Sequence, residues 1–348
     1  MELSKQKIKQ YIAGAKCLQE ALQQLYNNTP TAQEEDYFRA MLYYFNNNPH
    51  CHLIETHKHP IARQNTAVQC EISDLLLITY SPKRSAMKIN FLQAKLAKFV
   101  DSKQGLICST SGEEFLKFHM DGTQYRLLKD CPIIDPKSTG LPPNILSDAC
   151  SDSITSYGVF YMKNRNVEMA YEITQLLKPH NISKIAIDSG DRICYFDTIQ
   201  PKYSTTLRRP VCYWWRDQLW HECHLYCIGH LDLVSSLKSN LFERALLRFQ
   251  IGSPLCGQLA IEFVNAIISR WNKNGEVADF ERFAQESMPL WEELEQIRHR
   301  HLERGNRDGE DGYRREIRFD ENANRIPKYI LFINVDEEQE RRDEEDIN

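Results

Sequence analysis

The stretch CEISDLLLITYSPKRSAMKINFLQAKLAK, from Cys70 to Lys98, contains two strand-like apolar runs joined by a turn. The turn lies at residues 81–85, where serine, proline and charged residues interrupt the apolar pattern. Asp74 precedes the first run, whereas Gln93 and Lys95 close the second. Because side chains alternate between the two faces of a strand, Gln93 and Lys95 point the same way. If the runs pair as a hairpin, we predict that these three polar side chains meet at one end of a sheet.

A carboxylate, an amide oxygen and an ammonium group in one place suit a hard divalent cation and a phosphate. Oxygen ligands are those that Mg²⁺ prefers. A bound metal ion lowers the pKa of a coordinated water and offsets charge that builds on phosphorus. Lys95 would orient that water or stabilise the charged transition state.

This pattern resembles the PD-(D/E)xK, or restriction-endonuclease-like, nuclease superfamily, which holds metal with an acid on one strand and an E-x-K or D-x-K on the next. Asp74 corresponds to the first acid, and Gln93-Ala94-Lys95 is the second motif in a Q-x-K form, with Ser73 where the family has proline. The resemblance implies an α/β protein with a restriction-endonuclease-like mixed sheet flanked by helices. It implies hydrolysis of phosphodiester bonds with Mg²⁺ or Mn²⁺, in DNA before RNA, and a setting such as bacterial restriction or defence.

The same superfamily commonly adds a glutamate from the helix that precedes the sheet. Glu35 is our choice, because it stands before Phe38, Met41 and Leu42 in the corresponding helical pattern. Glu34 is its rival for that role, although Glu34 also fits a capping box with Thr31. The resemblance thus implies Asp74, Glu35 and Gln93 as metal ligands, with Glu34 and Glu71 as alternatives.

Gln93 also supports a different function, because an amide oxygen carries no charge and binds Mg²⁺ more weakly than a carboxylate. The alternative is a catalytically inactive nuclease fold that acts as a nucleic-acid-binding or partner-binding subunit. Either function is compatible with a homodimer or with a partner subunit. A purely structural interpretation is an ordinary hairpin whose polar residues cap the strand ends.

The whole chain is predicted to divide into three segments. They are a nuclease-like core with N-terminal helices at 1–135, a large C-terminal α/β extension of mixed α+β character at 154–335, and an acidic disordered tail at 336–348. The extension either forms its own unit or completes the same domain. Helices are predicted at 5–26, from Thr31 onward, and at 241–250, 257–272 and 280–304. A β-α-β unit is predicted over residues 157–187, a hairpin at 211–226 and a last strand at 328–335.

Two further clusters contain possible metal or nucleic-acid ligands. Zinc could bind to histidines and cysteines at 50–59 or at 221–230. In the first group, the alternation of side chains along a strand would point the ligands in different directions. The pattern of the second group is equally typical of a strand with buried thiols. We therefore expect Mg²⁺ rather than zinc. Mixed aromatic and basic residues next to the second group could stack bases and hold phosphates; they are Arg208, Arg209, Trp214, Trp215 and Arg216.

Composition restricts the partners only loosely. The net charge is −5, but the last 13 residues contribute −6, so the remaining chain is close to neutral and an anionic partner is compatible with it. The 11 scattered cysteines argue against a disulfide framework and for a reducing compartment. Neither a signal peptide nor a transmembrane stretch is apparent, so we expect a cytoplasmic protein without a membrane partner.

Overall fold

The computed structural model describes residues 3–56, 70–97, 106–108, 114–134, 140–163, 165–180, 191–197, 202–203, 234–271, 275–305, 324–325 and 327–337. Seven helices lie in these ranges: α1 (Lys5–Tyr11), α2 (Leu18–Asn28), α3 (Glu34–Asn46), α4 (Gly122–Asp130), α5 (Ser239–Leu247), α6 (Gly257–Trp271) and α7 (Ala278–Gly305).

The same ranges contain fifteen strands. They are β1 (Cys51–Glu55), β2 (Cys70–Glu71), β3 (Leu75–Ser81), β4 (Ala86–Leu96), β5 (Leu106–Cys108), β6 (Glu114–Asp121), β7 (Thr155–Lys163), β8 (Asn166–Ile173), β9 (Lys178–His180), β10 (Asp191–Asp197), β11 (Lys202–Tyr203), β12 (Val234–Lys238), β13 (Ser253–Leu255), β14 (Asn324–Arg325) and β15 (Tyr329–Asn334).

One mixed sheet organises the described residues. Its strand order is β1-β15-β3-β4-β7-β8-β12-β11, and β13 also pairs with β4. The pairs β15–β3 and β4–β7 are parallel, whereas the other pairs in this sheet are antiparallel. A smaller sheet has the order β5-β6-β10-β9, and β14 pairs with β2. The prediction of an α/β protein with a mixed sheet flanked by helices is confirmed.

Both faces of the main sheet are buried, and β3 shows how the sequence achieves this. Alternate residues Leu76 and Ile78 belong to one apolar cluster, which also contains residues of α6 and α7. Their neighbours Leu75 and Leu77 belong to a second cluster, which also contains residues of α1, α2 and α3. All seven residues of β3 are buried, and its first four are apolar without a break, as expected for a strand that is covered on both faces.

The last predicted strand has a central position in the sheet. It corresponds to β15, every residue of which is buried between β1 and β3. Strands from the segments 1–135 and 154–335 therefore pair within one sheet. Immediately after β15, Asp336 accepts hydrogen bonds from Ser81 Oγ and from the Lys83 N–H, at 2.8 Å each. The predicted disordered tail therefore does not include Asp336, and residues 338–348 lie outside the described ranges.

The N-terminal helices differ from the prediction in two places. The predicted helix 5–26 is two helices, α1 and α2, and Gly14 between them has a φ of 81°, which a helix cannot contain. The next helix begins at Glu34 rather than at Thr31. Its N-cap is Gln33, whose backbone N–H donates to Asp36 Oδ2 at 3.0 Å. The capping partner is therefore Asp36, which leaves the Glu34 carboxylate to bond elsewhere.

The β-α-β unit predicted over residues 157–187 is wrong. β7 and β8 pair as an antiparallel hairpin, so β8 occupies most of the predicted helix, and Thr174–Leu176 forms a single 3₁₀ turn. The last five residues of β8 are all buried, so the strand lacks the alternation that distinguishes a strand from a helix in sequence. The hairpin predicted at 211–226 lies outside the described residues, whereas the three predicted C-terminal helices are confirmed as α5, α6 and α7.

Candidate functional site

The predicted β-hairpin is present, and β4 extends beyond β3 at the end where β3 begins and β4 ends. Pairing between β3 and β4 ends at Leu75 opposite Leu92, while β4 continues to Leu96. Asp74, the residue before β3, turns its carboxylate onto this continuation, where Oδ2 accepts hydrogen bonds from the Ala94 N–H at 2.8 Å and from the Gln93 amide nitrogen. The predicted convergence of Asp74 with the second strand is confirmed.

A glutamate from α3 bonds to the same strand end. Glu34 Oε2 accepts a hydrogen bond from the Leu96 N–H at 2.8 Å, and Glu34 Oε1 lies 3.3 Å from Lys95 Nζ. Successive N–H groups of a strand point to opposite edges, so those of Ala94 and Leu96 share the edge that β3 has left. The carboxylates of Asp74 and Glu34 therefore accept the hydrogen bonds that backbone carbonyls of β3 would accept if β3 extended this far.

Glu35, the expected helix glutamate, lies elsewhere. Its carboxylate pairs with Lys328, and Tyr329 Oη lies 3.4 Å from it. Adjacent residues of a helix project about 100° apart, so Glu34 and Glu35 serve different neighbours. The choice of Glu35 is thus corrected in favour of Glu34, the rival candidate, because α3 begins at Glu34 and places that side chain over the end of β4.

Gln93 is present at the site, but its amide has the orientation opposite to the one expected. Its Oε1 accepts a hydrogen bond from Gln124 Nε2 at 2.5 Å, and Gln124 Nε2 also donates to the Glu71 carbonyl at 3.1 Å. The nitrogen of Gln93 therefore faces Asp74. The expectation that Gln93 offers its oxygen as a metal ligand is wrong for this arrangement, in which Gln93 is a donor to a carboxylate.

The electrostatics of the site centre on Asp74. The pKa of its carboxyl is raised from 3.8 to about 7, chiefly by burial; Lys95 and the Ala94 N–H oppose this rise, and the Glu71 and Glu34 carboxylates add to it. Asp74 Oδ1 accepts no hydrogen bond from any described residue. The site therefore combines excess negative charge with one oxygen that can accept a further ligand.

Gln124 could not have been identified from the sequence. The run Asp121-Gly122-Thr123 does signal a helix start, and Asp121 Oδ1 accepts from the Thr123 N–H at 2.7 Å as an N-cap. No motif, however, connects this helix to Gln93, which lies 31 positions before Gln124 in the chain.

The structure describes little of the other predicted sites. Residues 208–216 and 221–230 lie outside the described ranges, as do His57 and His59. His50 Nδ1 lies 2.5 Å from Glu337 Oε2, and Cys51 and His52 are adjacent in β1, so their side chains point to opposite faces. Within the described ranges, no three His, Cys, Asp or Glu side chains are grouped closely enough to hold a metal ion.

Comparison of the chain with protein-family models, with curated proteins and with solved structures found no match. None of the helices in the described part of the chain is both long enough and apolar enough to cross a lipid bilayer.

Proposed function

We propose that this protein is a metal-dependent phosphodiesterase that cleaves nucleic acid, DNA before RNA. The observation that supports the proposal best is the meeting of Asp74, Glu34 and Lys95 at the free end of β4. An acid before one strand, a Q-x-K on the next and a glutamate on the preceding helix are the elements that the sequence resemblance implies.

The residues at this site fit a magnesium ion. Mg²⁺ is commonly bound by one or two carboxylates together with waters and substrate phosphates, so a cage of three protein ligands is not required. Asp74 and Glu34 would hold the ion. The pKa of Asp74 is raised chiefly by burial and to a smaller extent by Glu71 and Glu34, and a bound cation would favour the ionised carboxylate against both effects. When bound, the ion would polarise the phosphate and lower the pKa of a coordinated water.

Lys95 and Gln93 have separate roles in this proposal. The Lys95 side chain is 16% exposed, and its ammonium pairs with Glu34 at 3.3 Å. It supplies a fixed positive charge where charge builds on the phosphate, an effect that is largest in a site shielded from water. Gln93 fixes the Asp74 carboxylate by donating to Oδ2, so that Oδ1 faces away from that hydrogen bond.

A second candidate function is a catalytically inactive nuclease fold that binds nucleic acid. The supporting observation is that Asp74 and Glu34 already bond to backbone N–H groups that the strand end would otherwise leave unpaired. Such capping accounts for both carboxylates without any catalytic role, as in the structural interpretation of the hairpin.

Cleavage assays separate the two functions. Plasmid DNA, single-stranded DNA and single-stranded RNA are incubated with Mg²⁺ or Mn²⁺ and the unaltered protein, Lys95→Met or Asp74→Asn. Lys7→Met, which changes an exposed lysine of α1, is the matched control.

We expect the unaltered protein and the control to cleave, and the two site variants to cleave at least about 100-fold more slowly, the usual cost of removing one preorganised charged group. Undiminished cleavage by both site variants would refute the proposed active site. A folded protein that binds nucleic acid but never cleaves it would establish the inactive subunit instead.

A further inference from the structure

The orientation of the Gln93 amide is determined by residues outside the Q-x-K motif. Gln93 and Gln124 are both buried, with 3% and 7% of their surfaces exposed, so water cannot substitute for a lost partner. Their amides form a chain of hydrogen bonds that runs from the Glu71 carbonyl through Gln124 and Gln93 to Asp74.

The two ends of this chain decide which way each amide faces. The Glu71 carbonyl can only accept a hydrogen bond, so the nitrogen of Gln124 must face it. That nitrogen also donates to Gln93, so the Gln93 oxygen faces Gln124 and its nitrogen faces Asp74. Reversal of either amide would bring two acceptors or two donors together in a buried place, at a cost of about 1–3 kcal/mol for each unsatisfied group.

We propose that Gln124 is a positioning residue of the site, which acts through Gln93 to hold Asp74 Oδ2 and so directs Oδ1 toward an incoming cation. The metal-binding part of this inference rests on the proposed function, whereas the amide orientation does not. Gln124 also explains a glutamine at position 93, since a carboxylate there would have no proton to donate to Asp74.

The test combines two measurements in a double-mutant cycle of Gln124→Met and Gln93→Met. The first measurement is the NMR signal of the Gln93 side-chain amide in protein labelled with ¹⁵N at glutamine, without metal, where the Gln93→Met spectrum identifies the signal. The second is the affinity for Mn²⁺ by calorimetry. Arg126→Met, which changes an exposed side chain of the same helix, is the control.

We expect Gln124→Met to move the Gln93 amide signal toward that of a free amide and to speed its exchange with solvent. Loss of a residue that orients a metal ligand typically weakens metal affinity 10- to 100-fold, so we expect Mn²⁺ to bind about tenfold more weakly. In the Gln93→Met background, Gln124→Met should add no further weakening, because the contact through which it acts is gone.

An unchanged Gln93 amide signal in Gln124→Met would overturn the proposal, as would equal weakening in both backgrounds. A residue with only a structural role would lower the melting temperature without moving that signal. If the unaltered protein does not bind Mn²⁺, the proposed function fails, and the amide signal alone decides the role of Gln124.

Discussion

Replacement of Asp74 by asparagine should change how the stability of the protein depends on pH. In the folded protein the pKa of Asp74 is raised from 3.8 to about 7, so the folded state binds a proton more tightly than the unfolded chain does. The stability that the folded state gains from this tighter proton binding is therefore fully present below about pH 4 and is lost as the pH rises through 7. One pH unit corresponds to about 1.4 kcal/mol, so the full change is at most about 4 kcal/mol.

Urea unfolding of the unaltered protein and of Asp74→Asn, at half-unit steps from pH 4.5 to 8.5, measures this effect. Asparagine keeps an oxygen that can accept from Gln93 and from the Ala94 N–H, but it does not titrate. Relative to the variant, the unaltered protein should lose stability as the pH rises, and the loss should level off above about pH 8. A difference between the two proteins that stays constant with pH would refute the assignment of a buried, proton-binding Asp74.

The same pair of proteins tests whether metal and proton compete for Asp74. A ligand that binds only the folded state stabilises it by an amount that grows with the logarithm of its concentration. At pH 8, 10 mM Mg²⁺ should raise the melting temperature of the unaltered protein and have little effect on Asp74→Asn. At pH 5, where Asp74 is protonated, the ion should leave both melting temperatures unchanged. Equal stabilisation of the two proteins at pH 8 would place the ion elsewhere.

Three further substitutions distinguish the residues around Asp74. Glu34→Gln should reduce Mg²⁺-dependent cleavage at least tenfold. Glu35→Gln should leave cleavage unchanged and should lower the free energy of unfolding in urea by less than about 1 kcal/mol, because the ion pair of Glu35 with Lys328 is one-third exposed. Equal effects of the two variants on cleavage would contradict the assignment to Glu34. Gln93→Glu should destabilise the protein by about 2 kcal/mol at pH 8 and less at pH 5, where one acid is protonated. A stability that does not change with pH would contradict the donor role of Gln93.

The core of the candidate site could be predicted because it depends on local rules. Strand alternation placed Gln93 and Lys95 on one face, and a turn at residues 81–85 brought Asp74 back to the same end. Both rules act within about 25 residues of chain, which is why the pairing of the two strands agrees with the expectation.

The helix glutamate was misassigned because helix boundaries are poorly determined by sequence. Thr31 is a preferred N-cap residue type and glutamine is not, yet the helix is capped at Gln33, whose N–H bonds to Asp36; a start at Glu34 instead of Thr31 changes which glutamate reaches β4. The partner of the wrongly chosen Glu35 is Lys328, almost 300 positions away, and no local pattern predicts such a contact.

Long-range pairings account for the remaining differences. The position of β15 between β1 and β3 joins residues about 250 positions apart, and the hydrogen bond from Gln124 to Gln93 depends on packing of α4 beside the sheet. Such contacts are selected by burial of whole surfaces rather than by spacing in the sequence. The amide orientation that follows from them changes Gln93 from an expected ligand into a donor.

A crystal structure with Mn²⁺ tests the central claim most directly, because anomalous scattering locates the ion independently of any activity. We predict an anomalous peak bonded to Asp74 Oδ1 and to Glu34, with the Gln93 amide nitrogen still on Asp74 Oδ2. Well-ordered crystals grown at pH 8 in millimolar Mn²⁺ without a peak at these carboxylates would contradict the account.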